Sequence, residues 1–119
     1  MKAATKIVDD FAGGRSDAYA SRFATNATIV APECNYVPST PHQYLGLVHS
    51  GGNRDRLLPV VEFGATHQHV ALVQHIAIVT QRLVMKTWSV AGLEPTYVTS
   101  TIVLHKVAGD WVAIHEHRS

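Results

Sequence analysis

The stretch Trp111-Val112-Ala113-Ile114-His115-Glu116-His117-Arg118 holds the densest run of reactive side chains in the sequence. Its pattern reads as a β-strand, in which successive side chains point to opposite faces. That parity puts Trp111, Ala113, His115 and His117 on one face, and Val112, Ile114, Glu116 and Arg118 on the other. Two histidines on one face suit general acid or base work, because imidazole titrates near neutral pH. The same spacing begins some metal sites, and His67 and His69 repeat it. A plainer role is a histidine packed and hydrogen-bonded to a neighbouring strand or helix. A shared four-histidine metal site fails on geometry. In a meander of four strands the two pairs lie three strands apart, ~14 Å, whereas a metal needs its ligands within about 2.1 Å. No metal is expected. His42, His49, His75 and His105 carry no signal beyond exposure.

The nine carboxylates are Asp9, Asp10, Asp17, Glu33, Asp55, Glu62, Glu94, Asp110 and Glu116. No aspartate falls in mid-strand, and Asp110 sits in a turn. Glu62 and Glu116 are in mid-strand, but Glu116 has the opposite parity to the histidines. Glu33, beside a loop able to roof a pocket, is the best single catalytic carboxylate; its alternative is a solvated loop residue. Arg82 stands in the apolar run Ile76 to Val84, so its guanidinium must reach water, a carboxylate or a ligand anion. An ion pair with Glu33 or Glu116 is one such outcome. Tyr19, Tyr36, Tyr97 and Trp88 are candidates to line a cavity, and equally to fill a core. Cys34, the single cysteine, lacks a base near it in sequence and reads as a small, partly buried side chain rather than a nucleophile.

The elements that must hold these residues follow from periodicity. Ala4, Ile7, Val8 and Phe11 recur at helical spacing and predict a helix over 3–12, broken by Gly13-Gly14. Ser16 caps a second predicted helix over 16–25, with Asp17 favourable at its positive end. A short strand at 27–31 ends at Pro32, and 33–41 reads as a proline-bearing loop. Pro41 then opens a short helix, 42–48, which Ser50-Gly51-Gly52-Asn53 ends. From there the period changes to two, with strands at about 59–70, 75–88, 96–107 and 110–118. Short links make neighbours antiparallel. Both faces of such strands are apolar enough to need cover, one from the N-terminal helices and the other from a second subunit.

Composition narrows the classes. The 119 residues suit one domain, 1–119. With 46% hydrophobic and 16% charged residues, the surplus of apolar surface predicts a homo-oligomer, a homodimer first and higher assembly beyond it. The net charge of +1, with basic residues scattered, excludes a nucleic-acid stripe. No run reaches the ~20 apolar residues of a membrane span, and one cysteine permits no intramolecular disulfide. A reducing, cytoplasmic setting without membrane or cofactor is the expectation.

The ending Gly109-Asp110-Trp111 to His115-Glu116-His117-Arg118-Ser119 resembles the closing strand of the association (hub) domain of calcium/calmodulin-dependent protein kinase II. His67-Gln68-His69 and Ala31-Pro32-Glu33 are similar to motifs of that group, which lies within the nuclear transport factor 2-like, or SnoaL-like, proteins. The likeness spans about 7–119. It implies a cone-shaped, cystatin-like α+β fold, with helices packed on a curved, mostly antiparallel sheet. It also implies that Arg82 and Arg118 clamp a small carboxylate. Two pocket arginines of that group are replaced here by Glu94 and Ile102. Relatives of this fold that isomerise steroids or open epoxides use interior aspartates, which this sequence does not supply. Three readings follow. One is a pocket for a small apolar or carboxylate ligand in a homodimer, lined by Arg82, Arg118, Tyr97, Tyr36 and Tyr19. Another is an isomerase, cyclase or hydrolase on a polyketide, terpene or steroid-like substrate, with His117, His115 and Glu33 as catalytic groups. The third is an oligomerisation module.

Overall fold

The computed structural model describes residues 1–49 and 60–119, apart from the side chains at 33, 48, 49, 60–63 and 87–89. The elements run α1 (Lys2–Ala12), α2 (Ser16–Ser21), β1 (Phe23–Val30), a 3-10 turn (Pro32–Cys34), α3 (Pro41–His49), β2 (Val60–Val73), β3 (Ile76–Ser89), β4 (Gly92–Val107) and β5 (Asp110–Arg118). The five strands form one sheet in the order β1-β5-β4-β3-β2. β2 to β5 make the antiparallel meander that short links demand, and β1 joins β5 in parallel. The architecture is α+β, with the helices on one face of the sheet. The turn expected at 50–53 and the residue expected to begin the β2 strand, 59, lie outside the described residues.

The helices form where the apolar spacing directs. Ala4, Ile7 and Val8 of α1 are buried, and the Gly13 N–H closes the helix on the Asp9 carbonyl at 2.9 Å. Asp10, on the same buried face, accepts from Arg15 Nε (3.1 Å) and Arg22 Nε (3.0 Å), tying α1 to both ends of α2. Ile7, Val8, Tyr19 and Tyr44 pack against Ile29, Val79, Leu83, Ile102, Leu104 and Ala113 of the sheet, forming one core. Truncating a core residue such as Ile102 to alanine would cost ~2–5 kcal/mol.

Three sequence expectations need correction. The second helix stops at Ser21 rather than 25, because Phe23 already pairs with Ala113 of β5; tertiary pairing overrides helical propensity there. Pro95, read as part of a loop, lies inside β4 opposite Lys86. Pairing of β4 along its other edge begins only at Thr99, which exchanges two backbone hydrogen bonds with Ser119, so the missing proline N–H falls on an unpaired edge. The first meander link is shorter than expected. It is Gln74-His75 alone, with Gln74 in the left-handed region at φ 53°.

A bulge alters β5 most. Val103 faces His115 while Leu104 faces Ala113, which leaves Ile114 as an extra residue in the strand. The strict alternation expected from the sequence therefore breaks at Ile114. Ala113 shares the inner, helix-covered face with Glu116 and Arg118 rather than with the histidines. Val112 shares the outer face with His115 and His117. On β1, Ser39 bridges back to Ile29 through two backbone hydrogen bonds of 2.7 and 3.0 Å.

The outer face of β2 to β4 has no described element of this chain over it. Val73, Ile78, Leu93, Tyr97 and Val107 stand exposed there among threonines.

Candidate functional site: a buried charge network under the helices

Downstream of the bulge, β5 turns Glu116 and Arg118 inward, where they are 2% and 1% exposed. A charge in such a place survives only if partnered. The partners come from three other elements. Tyr19, on α2, donates its hydroxyl hydrogen to Glu116 Oε1. Ser100, on β4 and opposite Arg118, donates to Glu116 Oε2 at 3.1 Å. Arg118 Nη2 donates to the Tyr19 hydroxyl at 3.2 Å, and its Nε lies 3.6 Å from Glu116 Oε1. The guanidinium also lies on aromatic rings. It stands 3.9 Å from the Phe11 centroid, with the Tyr19 and Tyr44 rings at 5.5 and 5.9 Å.

Burial pushes the Tyr19 phenol well above its usual pKa, and the neighbouring Glu116 carboxylate adds to this. Tyr19 therefore acts here as a hydrogen-bond donor. At Asp10, burial resists ionisation, but the hydrogen bonds and charges of Arg22 and Arg15 outweigh it and hold the carboxyl below its ordinary range.

The inner polar row continues across the sheet. Gln81 on β3 pairs in register with Ser100, and it is 2% exposed. Its Oε1 accepts from Gln68 Nε2 at 2.9 Å, while its own Nε2 is buried without a hydrogen-bond partner among the described residues. A buried amide donor left open in this way costs free energy unless something accepts from it.

The residues singled out from sequence divide between the two faces. Tyr19 and Arg118 meet in the inner network. His115 and His117 lie on the outer face; His115 Nδ1 is 2.7 Å from the Thr28 hydroxyl, and His117 is exposed opposite Thr101 and Val30. Arg82 is also outside, its guanidinium 5.3 Å from the centroid of exposed Tyr97. Arg82 and Arg118 are thus not brought together, and the clamp is not formed within one chain. Tyr36 stands 51% exposed after the 3-10 turn. The side chains of Glu33, Glu62 and Trp88 lie outside the described residues. His69 and His117 occupy one cross-strand row, His69-Thr80-Thr101-His117, three strands apart. Among the described residues no three His, Cys, Asp or Glu side chains converge as metal ligands. A cleft of about 370 Å³ opens by Lys2, Arg22 and Trp111, where none of the singled-out site residues lies.

Sequence reasoning missed Glu116, Ser100 and Gln81 as members of the site. The available signal was the acid-base pair at 116 and 118 on one parity of a strand whose face also carries core residues.

No family model matches the sequence, and no curated protein matches it. Solved structures do. The CaMKII hub of S. rosetta superposes with a TM-score of 0.78 at 24% identity, over 99% of this chain and 91% of that one. The association domain of C. elegans CaMKII gives 0.79 at 18% identity, over 99% and 90%. An NTF2-like protein with a cystatin-like fold from Novosphingobium aromaticivorans gives 0.77 at 8% identity, over 98% and 76%. The chain has the NTF2-like, cystatin-like α+β fold, with its helices on a curved five-stranded sheet.

Proposed function

We propose that this chain, a single domain over 1–119, is a self-association module that forms a homodimer, and higher oligomers from it, through the outer face of its sheet. The observation that carries this reading is the uncovered face of β2 to β4, with Val73, Ile78, Leu93, Tyr97 and Val107 exposed on it. Strands of 14 to 16 residues make that face ~46 Å long and three strands make it ~14 Å wide, about 650 Å² before side-chain relief. That approaches the ~800 Å² per partner of a stable interface. Structures named as a hub and an association domain share the fold over nine-tenths of their own length, which favours the same use of it. Sedimentation equilibrium tests the reading. The expected mass is twice 13.0 kDa or a higher multiple, and Ile78→Asp with Tyr97→Asp should reduce it to 13.0 kDa. A clean monomer of the unaltered chain overturns it.

A second reading rests on the open Gln81 Nε2. A small carboxylate entering beside Gln81 would accept from that amide and face the Arg118 guanidinium. A thermal-shift series with acetate, butyrate and benzoate should stabilise the chain and lose the effect in Gln81→Leu. Equal shifts in both chains would remove this reading. Catalysis by His117, His115 and Glu33 stays outside the proposal, since both imidazoles lie on the face away from the interior. No helix among the described residues is long and apolar enough to cross a membrane, and the cytoplasm is the setting we propose.

A further inference from the structure

We infer that the outer face is a proton-sensitive interface: a second copy docks on it while its histidines are neutral and is released as they become charged. This rests on the self-association reading above and adds its regulation.

The outer face carries an unusual share of imidazoles. His69 on β2, His105 on β4, and His115 and His117 on β5 all point to it, and His67 stands exposed in the β2 bulge beside them. Their neighbours across the strands are uncharged. His69 and His117 end a row with Thr80 and Thr101; His115 lies across from Val103 and Thr28; His105 lies across from Ile76 and Val112. From β1, Thr28 and Val30 flank the β5 histidines and bring no charge. The described charges on this face are Arg82 and Lys86 of β3, and Asp110 at the far end of β5 opposite Val107. Glu62 pairs in register with Lys86, and its side chain lies outside the described residues.

At neutral pH such a face is chiefly hydroxyl, imidazole and aliphatic, which suits contact with its own copy. Histidine is the side chain that ordinarily gains charge between about pH 8 and 5. A two-fold interface sets each patch against itself, so every proton gained on one copy is matched by one on the other. Facing sheets stand ~10 Å apart, about one Debye length at physiological salt, so these like charges are only partly screened. Among the described side chains the single carboxylate at the rim, Asp110, does not offset four imidazolium groups per copy, to which Arg82 and Lys86 already add positive charge. The separated chain therefore binds protons more readily than the assembled one, and association weakens as pH falls. An acidic partner protein would show the reverse sign, binding more tightly on acidification.

Sedimentation equilibrium of the full chain at about pH 8, 7, 6 and 5.5 tests this. Circular dichroism at each pH separates dissociation from unfolding. The expected result is an association constant at least about tenfold lower at pH 5.5 than at 8, restored in part by ~1 M salt. His69→Gln with His117→Gln, which keeps hydrogen-bonding capacity without titrating, should lose much of that pH dependence. An oligomer whose association is flat or tighter at low pH overturns the inference and leaves self-association standing. So does a double variant with the unaltered pH profile. A monomer at every pH removes the self-association reading and this inference with it.

Discussion

The two faces of β5 offer a controlled comparison, because neighbours along one strand meet opposite environments. Glu116 and Arg118 point inward, are almost fully buried, and are joined by Tyr19 and Ser100. His115 and His117 point outward; His115 touches a single hydroxyl and His117 is exposed. The inner charges are committed to each other, so their value lies in holding α2, β4 and β5 together. The outer groups make few intramolecular commitments and remain available to a partner and to protons. Chemical reactivity read from residue type alone ranks the histidines first. Burial reverses the order for stability.

The largest test of this contrast is Glu116→Ala. Removing the carboxylate leaves the buried Arg118 charge without its counter-ion, which should cost about 3–5 kcal/mol in urea unfolding. A loss under about 1 kcal/mol would mean that the network contributes little and that the two faces are alike.

Tyr19→Phe comes next. It deletes the hydroxyl shared by Glu116 and Arg118 while keeping the ring against Phe23 and Tyr44, and should cost about 1–3 kcal/mol. The raised pKa of Tyr19 gives the same site a pH signature. Its contribution is full below the unfolded phenol value near 10 and is lost as pH rises through the higher folded value. Phenolate absorbance should show one tyrosine that ionises only at or beyond that point, a feature missing from Tyr19→Phe.

A smaller effect belongs to Asp10, whose arginine partners are half-exposed at 56% and 40%. Asp10→Asn should cost about 1 kcal/mol, a figure already reduced for solvent screening. Because its folded pKa is depressed, this stabilisation is present above about pH 4 and is lost as pH falls through the folded value. The difference between Asp10→Asn and the unaltered chain should therefore shrink in acid.

The smallest change is expected outside. His117→Gln should alter the unfolding free energy of the separated chain by less than about 0.5 kcal/mol. A cost as large as that of Tyr19→Phe would break the comparison, since it would give the outer histidine a structural duty.

How much of this was legible in the sequence depends on range. The meander was readable because a period of two persists over long strands and short links leave one pairing available. The separation of His67 and His69 from His115 and His117 followed from strand spacing alone. The bulge at Ile114 was not readable. It exists only in the register between β4 and β5, and nothing local in Ala113-Ile114-His115 announces an extra residue. The site was legible in fragments. Tyr19 and Arg118 were both singled out, and Glu116 was named among the ion-pair alternatives for Arg82. Joining Tyr19 to Glu116 requires a contact across 97 positions that only the fold supplies. Arg82 misled because a mid-strand arginine satisfies its charge equally well by reaching water over Tyr97 as by turning inward.

The small bridge between Ser39 and Ile29 has a consequence for what this sheet can become in a crowded solution. An open sheet ends in a row of unused N–H and C=O groups, a template on which foreign strands grow into fibrils. Ser39 occupies both groups of Ile29, and Pro38 and Pro41 beside it have no N–H with which to prolong the pairing. Strand addition is therefore blocked at Ile29, near the end of β1, at the cost of one bridge and two prolines.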